Sequence, residues 1–183
     1  MSEHKTLVVV INGRPRAGKD TFVAYTKHHL SIKGYAGASF SSIQPVKDMI
    51  NNAGIYVGAK TDKDRDLMSE IGDAVEKHSE FRFENCMSQV VSFHLNKSAP
   101  GVIFLHIREK HLIDKMENWV KDLPKTQFLK IILKSDRSQN VTSNASDANV
   151  DDIIYDHYLF NNGTLADLDA TVQDNLKFFT NYL

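Results

Sequence analysis

Two glycines and a lysine near the amino terminus have a spacing that favours phosphate binding. Gly13 and Gly18 enclose a short loop, and Lys19 follows it directly. Glycines let such a loop turn with its N–H groups pointing inward, and these donors, a helix N-terminus and an ammonium group together hold polyphosphate charge. The alternative is an ordinary glycine-containing turn in which Lys19 is only solvated.

The sequence on both sides of this loop supports the phosphate-binding interpretation. Residues 7–11, "LVVVI", are typical of a strand buried on both faces, and a helical apolar pattern begins after Lys19. The glycine spacing is informative in this strand–loop–helix context. We therefore predict a nucleotide-binding segment made of Gly13, Arg14, Pro15, Arg16, Ala17, Gly18, Lys19, Asp20 and Thr21.

Asp20 occupies the position at which such loops usually have Ser or Thr, whose hydroxyl binds Mg²⁺. A carboxylate is also a hard oxygen ligand that Mg²⁺ accepts, directly or through water. We predict Asp20 as a metal ligand on this basis. Two alternatives stay open: Asp20 only complements the positive end of the helix, or Thr21 supplies a hydroxyl one residue later.

The six arginines of the chain are not scattered. Arg14 and Arg16 lie inside the loop, and Arg108 follows an apolar strand pattern, at the strand end where α/β folds bind ligands. Arginine binds phosphate bidentately and stays charged. The predicted catalytic residues are Lys19, Arg108, Arg137 and Arg65.

Some arginines have simpler explanations. Arg65 lies in "DKDRD" and could pair with its neighbours on a solvated face. Arg137 lies in residues 135–149, a stretch rich in Ser, Asn and Asp that predicts a mobile loop. We expect Arg82 at the surface.

Strand and helix patterns alternate along the chain. Their order predicts a three-layer α/β fold with a parallel five-stranded sheet, with strands at residues 7–11, 35–40, 102–107, 128–133 and 158–160. Helices are predicted to begin at Ser41 or Ser42 and at two capping boxes, Thr61 with Asp64 and Thr164 with Asp167. Predicted inward positions include Phe22, Val23, Thr26 and Leu30; Met49; Leu67, Ile71, Ala74, Val75 and His78; and Leu165, Leu168, Val172, Leu176 and Phe179.

The length, net charge and cysteine content of the chain limit the kinds of function that it can have. A chain of 183 residues with a net charge of −1 fits one domain without a general nucleic-acid-binding surface. The lone Cys86 forms no internal disulfide, which agrees with a reducing compartment. The apolar run 7–11 is too short for a signal peptide or a membrane span. We expect a cytoplasmic protein that acts on a small molecule, not on nucleic acid or a membrane.

The segment "GRPRAGKDT" resembles the variant loop of phage-type deoxynucleoside monophosphate kinases and of related P-loop kinases such as phosphomevalonate kinase. Residues 39–50, 60–76 and 155–168 are similar to the family's acceptor-binding segment, its charged helix with an Arg, and its final strand, turn and helix. The resemblance implies one P-loop kinase domain over residues 1–183 that uses ATP and Mg²⁺. It also implies a helical acceptor-binding region at about 41–98 and a lid-like loop at about 134–150.

His106 departs from this resemblance, because the phage kinases have an Asp there, in an Asp-Val-Arg pattern. A neutral imidazole is a poor Mg²⁺ ligand, so the departure increases the importance of Asp20. His106 could instead donate a hydrogen bond to an acceptor or simply be packed. The Asp-x-Pro-Leu-Leu-Phe-Glu stretch of dephospho-coenzyme A kinases is absent from the sequence.

The resemblance implies ATP-dependent transfer of a phosphoryl group to a (deoxy)nucleoside monophosphate. Such an acceptor is already an oxyanion, so the reaction needs positioning and charge neutralisation and no general base. Arg65 and Arg108 are predicted to hold the acceptor phosphate, and Arg137, with Lys134, to close over the transferring group. Alternatives are a kinase for another phosphorylated metabolite, a regulatory nucleotide-binding protein without transfer activity, and a purely structural domain. The sequence does not determine which base and sugar the acceptor has, or whether the protein forms a homodimer.

Overall fold

One five-stranded parallel sheet forms the centre of the molecule. The computed structural model describes residues 4–58, 61–138 and 149–183. The strand order is β2-β3-β1-β4-β5, and every pair of neighbours is parallel. This confirms the predicted parallel five-stranded sheet and its three-layer α/β class. The strands are β1 (Thr6–Asn12), β2 (Ala36–Ser41), β3 (Gly101–His106), β4 (Thr126–Lys134) and β5 (His157–Phe160).

The central strand β1 is buried along its whole length. It pairs with β3 from Thr6↔Gly101 to Val10↔Leu105 and with β4 from Thr6↔Thr126 to Asn12↔Ile132. A strand covered on both faces has to be apolar throughout, which is why "LVVVI" predicts it so well. The strand carries the glycine loop at its carboxyl end.

Helices cover both faces of the sheet. The first and last helices pack with Leu7, Val9 and Ile11 on one face, and the fourth and fifth helices pack with Val8 and Val10 on the other. The second and third helices share a smaller apolar cluster. The helices are α1 (Lys19–Ile32), α2 (Gln44–Asn52), α3 (Asp62–Ser79), α4 (Phe81–Asn96), α5 (Lys110–Lys121) and α6 (Leu165–Thr180), and a 3₁₀ turn spans Asn149–Asp152.

Both predicted capping boxes are present. Thr61 and Thr164 each accept a hydrogen bond from the N–H of the Asp three residues later, whose carboxylate accepts the Thr N–H in return. The predicted start of α2 at Ser41 or Ser42 is wrong, because α2 begins at Gln44. Ser41 is the last residue of β2. The N–H and hydroxyl of Ser42 both donate to the carbonyl oxygen of His106 instead.

Several predicted inward positions are exposed. Leu165 lies in the first turn of α6 and faces solvent, as do Ala74 and His78 on α3 and Met49 on α2. The prediction that Arg82 lies at the surface is also wrong. Its side chain is 1% exposed because three carboxylates surround it. Residues 139–148 of the predicted mobile loop lie outside the described residues.

The described helices show no membrane-spanning segment. Within residues 4–58, 61–138 and 149–183, none of them is both long enough and apolar enough to cross a bilayer.

We expect the free energy of unfolding to fall as the pH drops below about 6.5, the ordinary pKa of histidine. His94 is buried and its Nδ1 lies 2.8 Å from the Thr6 hydroxyl. Burial lowers the pKa of His94, and Lys97 and Lys125 lower it further. The unfolded chain therefore binds more protons than the folded one in this window, so acid favours unfolding.

Urea denaturation of the protein and of His94→Gln at several pH values measures this effect. The variant should show a weaker loss of stability between neutral pH and pH 5. Parallel pH curves for the two proteins would contradict the assignment to His94.

Candidate functional site

The loop between β1 and α1 contains two backbone positions that require glycine. Gly13 has φ +146° and Gly18 has φ +91°. A Cβ atom on Gly13 would overlap with the carbonyl oxygen of Leu133, and one on Gly18 would lie 2.5 Å from Nδ2 of Asn161. Side chains are strained at these φ values. The loop is thus held against β4 and against the residue that follows β5.

The Lys19 ammonium lies across this loop. Its Nζ donates to the carbonyl oxygens of Gly13, at 2.6 Å, and of Arg14, at 3.3 Å. The N–H of Ala17 donates to the Arg14 carbonyl, at 3.1 Å, and closes the turn. The N-cap residue of α1 is Gly18, which has no side chain to cap the helix, and the first N–H groups of a helix have no partner within it. A cation and helix-terminal donors therefore meet at one place, where they could bind a phosphate group.

The other predicted loop residues differ in how far they are buried. Pro15 and Ala17 are buried and anchor the loop, while Arg14 and Thr21 are half-buried. Arg16 is exposed and has a positive φ of 67°. Arg16 therefore projects from the loop, where its guanidinium can contact a bound anion or solvent.

Asp20 and His106 face each other beside the loop. Asp20 is 86% exposed, and its Oδ1 lies 3.8 Å from Nδ1 of His106. Burial lowers the pKa of His106, Asp20 raises it, and the positive charges of Lys19 and Arg108 lower it. The imidazole is therefore mostly neutral at pH 7. Lys19, Asp20 and Arg108, three of the predicted site residues, act electrostatically on this one ring.

The donor set at Asp20 fits a Mg²⁺ ion that is bound mainly through phosphate. Among the residues that the structure describes, no group of three His, Cys, Asp or Glu side chains could hold a metal ion by itself. Mg²⁺ is often bound by one or two carboxylates, waters and substrate phosphates. The exposed carboxylate of Asp20 beside the loop meets that requirement, whereas the neutral imidazole of His106 does not.

Arg108 lies at the same end of the sheet as the loop. One residue, Ile107, separates it from the end of β3, and β3 is the immediate neighbour of β1. Arg108 is half-buried, and its backbone N–H donates to Oε2 of Glu109, at 3.3 Å. A parallel sheet thus brings Lys19 and Arg108 together from positions about 90 residues apart in the sequence.

Arg65 and Arg137 contact residues other than Lys19, Asp20 and Arg108. Arg65 is half-buried on α3, with NH1 3.8 Å from Oδ1 of Asp62. Arg137 is exposed, and its guanidinium donates to the carbonyl oxygens of Gly163, at 2.5 Å, and of Asn161, at 3.2 Å. Arg137 therefore rests on the turn after β5. Most of the predicted lid, residues 139–148, lies outside the described residues.

Asn161 is a site residue that the sequence did not reveal. Its Nδ2 donates to the Ala17 carbonyl oxygen, at 2.9 Å, and its own carbonyl accepts from Arg137. Asn161 thereby links the glycine loop to the segment after β4. The two residues joined by the amide are separated by 144 positions in the sequence. The available signal was an Asn directly after the last strand, at the ligand-binding end of the sheet.

Asn12 is a second polar residue that the sequence pattern concealed. It ends β1 immediately before Gly13 and is completely buried. Neither polar atom of its side-chain amide has a hydrogen-bond partner in the described part of the chain. A buried amide without partners destabilises a fold by about 1–3 kcal/mol. Such groups are uncommon and call for an explanation where they occur.

Comparison with known proteins shows the fold and no closer relationship. No protein-family model matches the chain, and no curated protein matches it. The protein APE1195 is 13% identical with a TM-score of 0.54, over 97% of this chain and 98% of its own. A candidate kinase from Chloroflexus aurantiacus J-10-fl is 14% identical with a TM-score of 0.56, over all of both chains.

A third solved structure is a cysteine-to-alanine mutant of the APS kinase CysC of Mycobacterium tuberculosis. It is 11% identical with a TM-score of 0.48, over 95% of this chain and 99% of its own. The two structures with TM-scores above 0.5 have the same overall fold as this chain over nearly their whole length, and one of them is described as a kinase.

We expect Asn161→Ala to lower the free energy of unfolding by about 1–3 kcal/mol, because the buried Ala17 carbonyl loses its donor. Asn162→Ala is the matched control, since Asn162 exchanges hydrogen bonds only with exposed Asp136 in the described structure. The control should change stability by less than about 0.5 kcal/mol. Urea denaturation measures both, and equal losses would show that the amide does not support the loop.

Proposed function

We propose that this protein transfers a phosphoryl group from MgATP to a (deoxy)nucleoside monophosphate and forms the diphosphate. The observation that carries the proposal is the position of Lys19 across the glycine loop, with Asp20 beside the loop and Arg108 just after β3 at the same end of the sheet. Two cations and one carboxylate at the carboxyl ends of parallel strands match the needs of phosphoryl transfer, which are positioning and charge neutralisation.

The loop residues would form the nucleotide side of the site. Lys19 would exchange its bonds to the Gly13 and Arg14 carbonyls for the β and γ phosphates. The first N–H groups of α1 would donate to phosphate oxygens, and Arg14 and Arg16 would contact them from the loop. Asp20 would hold Mg²⁺ directly or through water, with the Thr21 hydroxyl next to it. Bound MgATP supplies the phosphoryl group and the metal charge.

The arginines would form the acceptor side. Arg108 would hold the acceptor phosphate at the end of β3, with Arg65 of α3 as its second contact. A phosphate nucleophile needs no base, so His106, whose lowered pKa leaves it neutral beside the site, would not need to accept a proton. Arg137, helped by Lys134, would close over the transferring group after leaving the carbonyls of Asn161 and Gly163.

A regulatory nucleotide-binding protein without transfer activity is the second candidate. His106 favours it, because a neutral imidazole stands at the strand end where the resembling kinases have an acidic residue. A kinase for another phosphorylated metabolite is the remaining enzyme class. It would use the same loop and the same arginines.

ADP release with MgATP and each common ribo- and deoxyribonucleoside monophosphate tests the proposal. We expect turnover with one acceptor or a small group of them. Lys19→Ala should lower kcat/KM by about 100-fold or more, because a transition-state cation is lost while the fold remains. ATP binding by calorimetry without turnover would favour the regulatory protein or another acceptor. No ATP binding at all would contradict the loop assignment.

Asp20→Ser tests the proposed metal ligand. If the carboxylate serves Mg²⁺, the Mg²⁺ concentration that gives half-maximal activity should rise about fivefold to tenfold, since one charged oxygen ligand is replaced by a neutral one. A carboxylate that only complements the N-terminus of α1 would instead change stability by about 0.3–1 kcal/mol and leave the Mg²⁺ titration unchanged. Asp114→Asn, which neutralises an exposed carboxylate on α5, is the control.

A further inference from the structure

We propose that Arg82 is a positioning residue that fixes Arg108 relative to α3, and that it acts through Glu109. The inference rests on the proposed function, in which Arg108 and Arg65 bind the same acceptor phosphate. Arg82 itself touches no predicted ligand-binding side chain in the described structure. It therefore acts on the geometry of the acceptor side rather than on the reacting atoms.

Arg82 is a buried ionic junction between three elements. Its side chain is 1% exposed and belongs to the first turn of α4. NH2 donates to Oδ1 of Asp73, at 3.0 Å, and NH1 donates to Oε1 of Glu109, at 2.9 Å. Asp73 belongs to α3, and Glu109 is the N-cap residue of α5. One planar guanidinium therefore joins α3, α4 and the start of α5.

A second carboxylate from α3 strengthens the junction. Oε2 of Glu76 accepts the backbone N–H of Arg82, at 2.6 Å, and lies 3.7 Å from its Nε. Glu76 and Glu109 are 11% and 15% exposed. Gly72 lies beside the guanidinium, where a Cβ would be 3.4 Å from NH1, so α3 can pack closely against the charged group.

The negative charges at the junction exceed the one positive charge of Arg82. Three carboxylates face the guanidinium. Burial, together with the negative charges of Glu76 and Glu109, raises the pKa of the adjacent Cys86 thiol to about 12, and Arg82 opposes this rise. Without Arg82, two mostly buried carboxylates would repel each other at the place where α3 meets α5. Buried ion pairs contribute little net stability on average, so a specific geometry is the better explanation for this one.

Glu109 connects the junction to the site. Its Oε1 binds Arg82, and its Oε2 accepts the backbone N–H of Arg108, at 3.3 Å. The other end of the connection is α3, where Asp73 lies eight residues after Arg65, or about 12 Å along the helix. Arg82 thus links the end of β3, which carries Arg108, with α3, which carries Arg65. This link sets the separation of the two cations.

Kinetics of Glu109→Gln and Arg82→Lys test the inference. Glu109→Gln keeps the shape of the junction and removes the charge that binds Arg82. We expect the acceptor KM to rise about tenfold to a hundredfold, the effect of a misplaced binding group, with an unchanged calorimetric Kd for ATP. Arg82→Lys keeps the positive charge but loses the planar guanidinium. Its acceptor KM should therefore lie between those of Glu109→Gln and the unaltered protein.

Glu80→Gln is the matched control. Glu80 and Lys115 form an exposed ion pair between the α3–α4 junction and α5, the same elements that Arg82 joins. Its loss should leave the acceptor KM unchanged. Thermal melting of every variant separates a folding defect from a positioning defect. If Arg82→Lys does not fold, the acceptor KM of Glu109→Gln decides whether the inference holds.

Hydrogen exchange of the backbone amides separates this inference from the proposed function. The Arg108 amide should exchange faster in Glu109→Gln, while the amides of α1 stay unchanged. If the unaltered protein transfers phosphate to no acceptor, the proposed function fails and exchange alone decides whether Arg82 and Glu109 hold the strand end. An unchanged acceptor KM in an active Glu109→Gln, or unchanged exchange at Arg108, would overturn the inference.

Discussion

Complete burial of β1 is the constraint on which the site depends. The strand is paired with β3 on one side and β4 on the other, and its two faces lie under different helices. Its last residue therefore delivers Gly13 to a fixed position against the Leu133 carbonyl. Because β1 cannot shift without breaking both ladders, the glycine loop begins from a rigid base and its donors are oriented before any anion binds.

Charged side chains form two separate groups near the carboxyl ends of β1 and β3. Lys19, Arg108 and the neutral His106 lie at the ends of β1 and β3, and a separate ionic junction centred on Arg82 lies behind them. The first group contains excess positive charge, whereas the second contains excess negative charge around a buried guanidinium. Glu109 belongs to the second group and accepts a hydrogen bond from the Arg108 backbone in the first, so the two groups are mechanically connected.

The sequence predicts this fold well where local patterns determine it. The strand 7–11, the buried face of α1 and both capping boxes depend on residues close together in the chain, and all of them are confirmed. Arg82 could not be predicted in this way, because a charged residue after "SEF" is typical of a solvated helix end. Arg82, Cys86, Val90 and His94 follow one another at four-residue intervals, which weakly indicated that Arg82 lies on the buried face of α4. Asn161 was missed because its contact with Ala17 depends on the tertiary fold, and the predicted roles of Arg65 and Arg137 stay predictions.

The side-chain amide of Asn12, which has no hydrogen-bond partner among the described residues, makes that position informative about descent. In a lineage released from selection on the site, substitutions there by Val or Leu would be favoured, since they remove a destabilising group from the core. A lineage that retains a polar residue at the end of β1 must gain something from it that stability does not provide. When related sequences are assembled, the residue type at position 12 will therefore separate chains that still use the loop from chains in which only the scaffold has been kept.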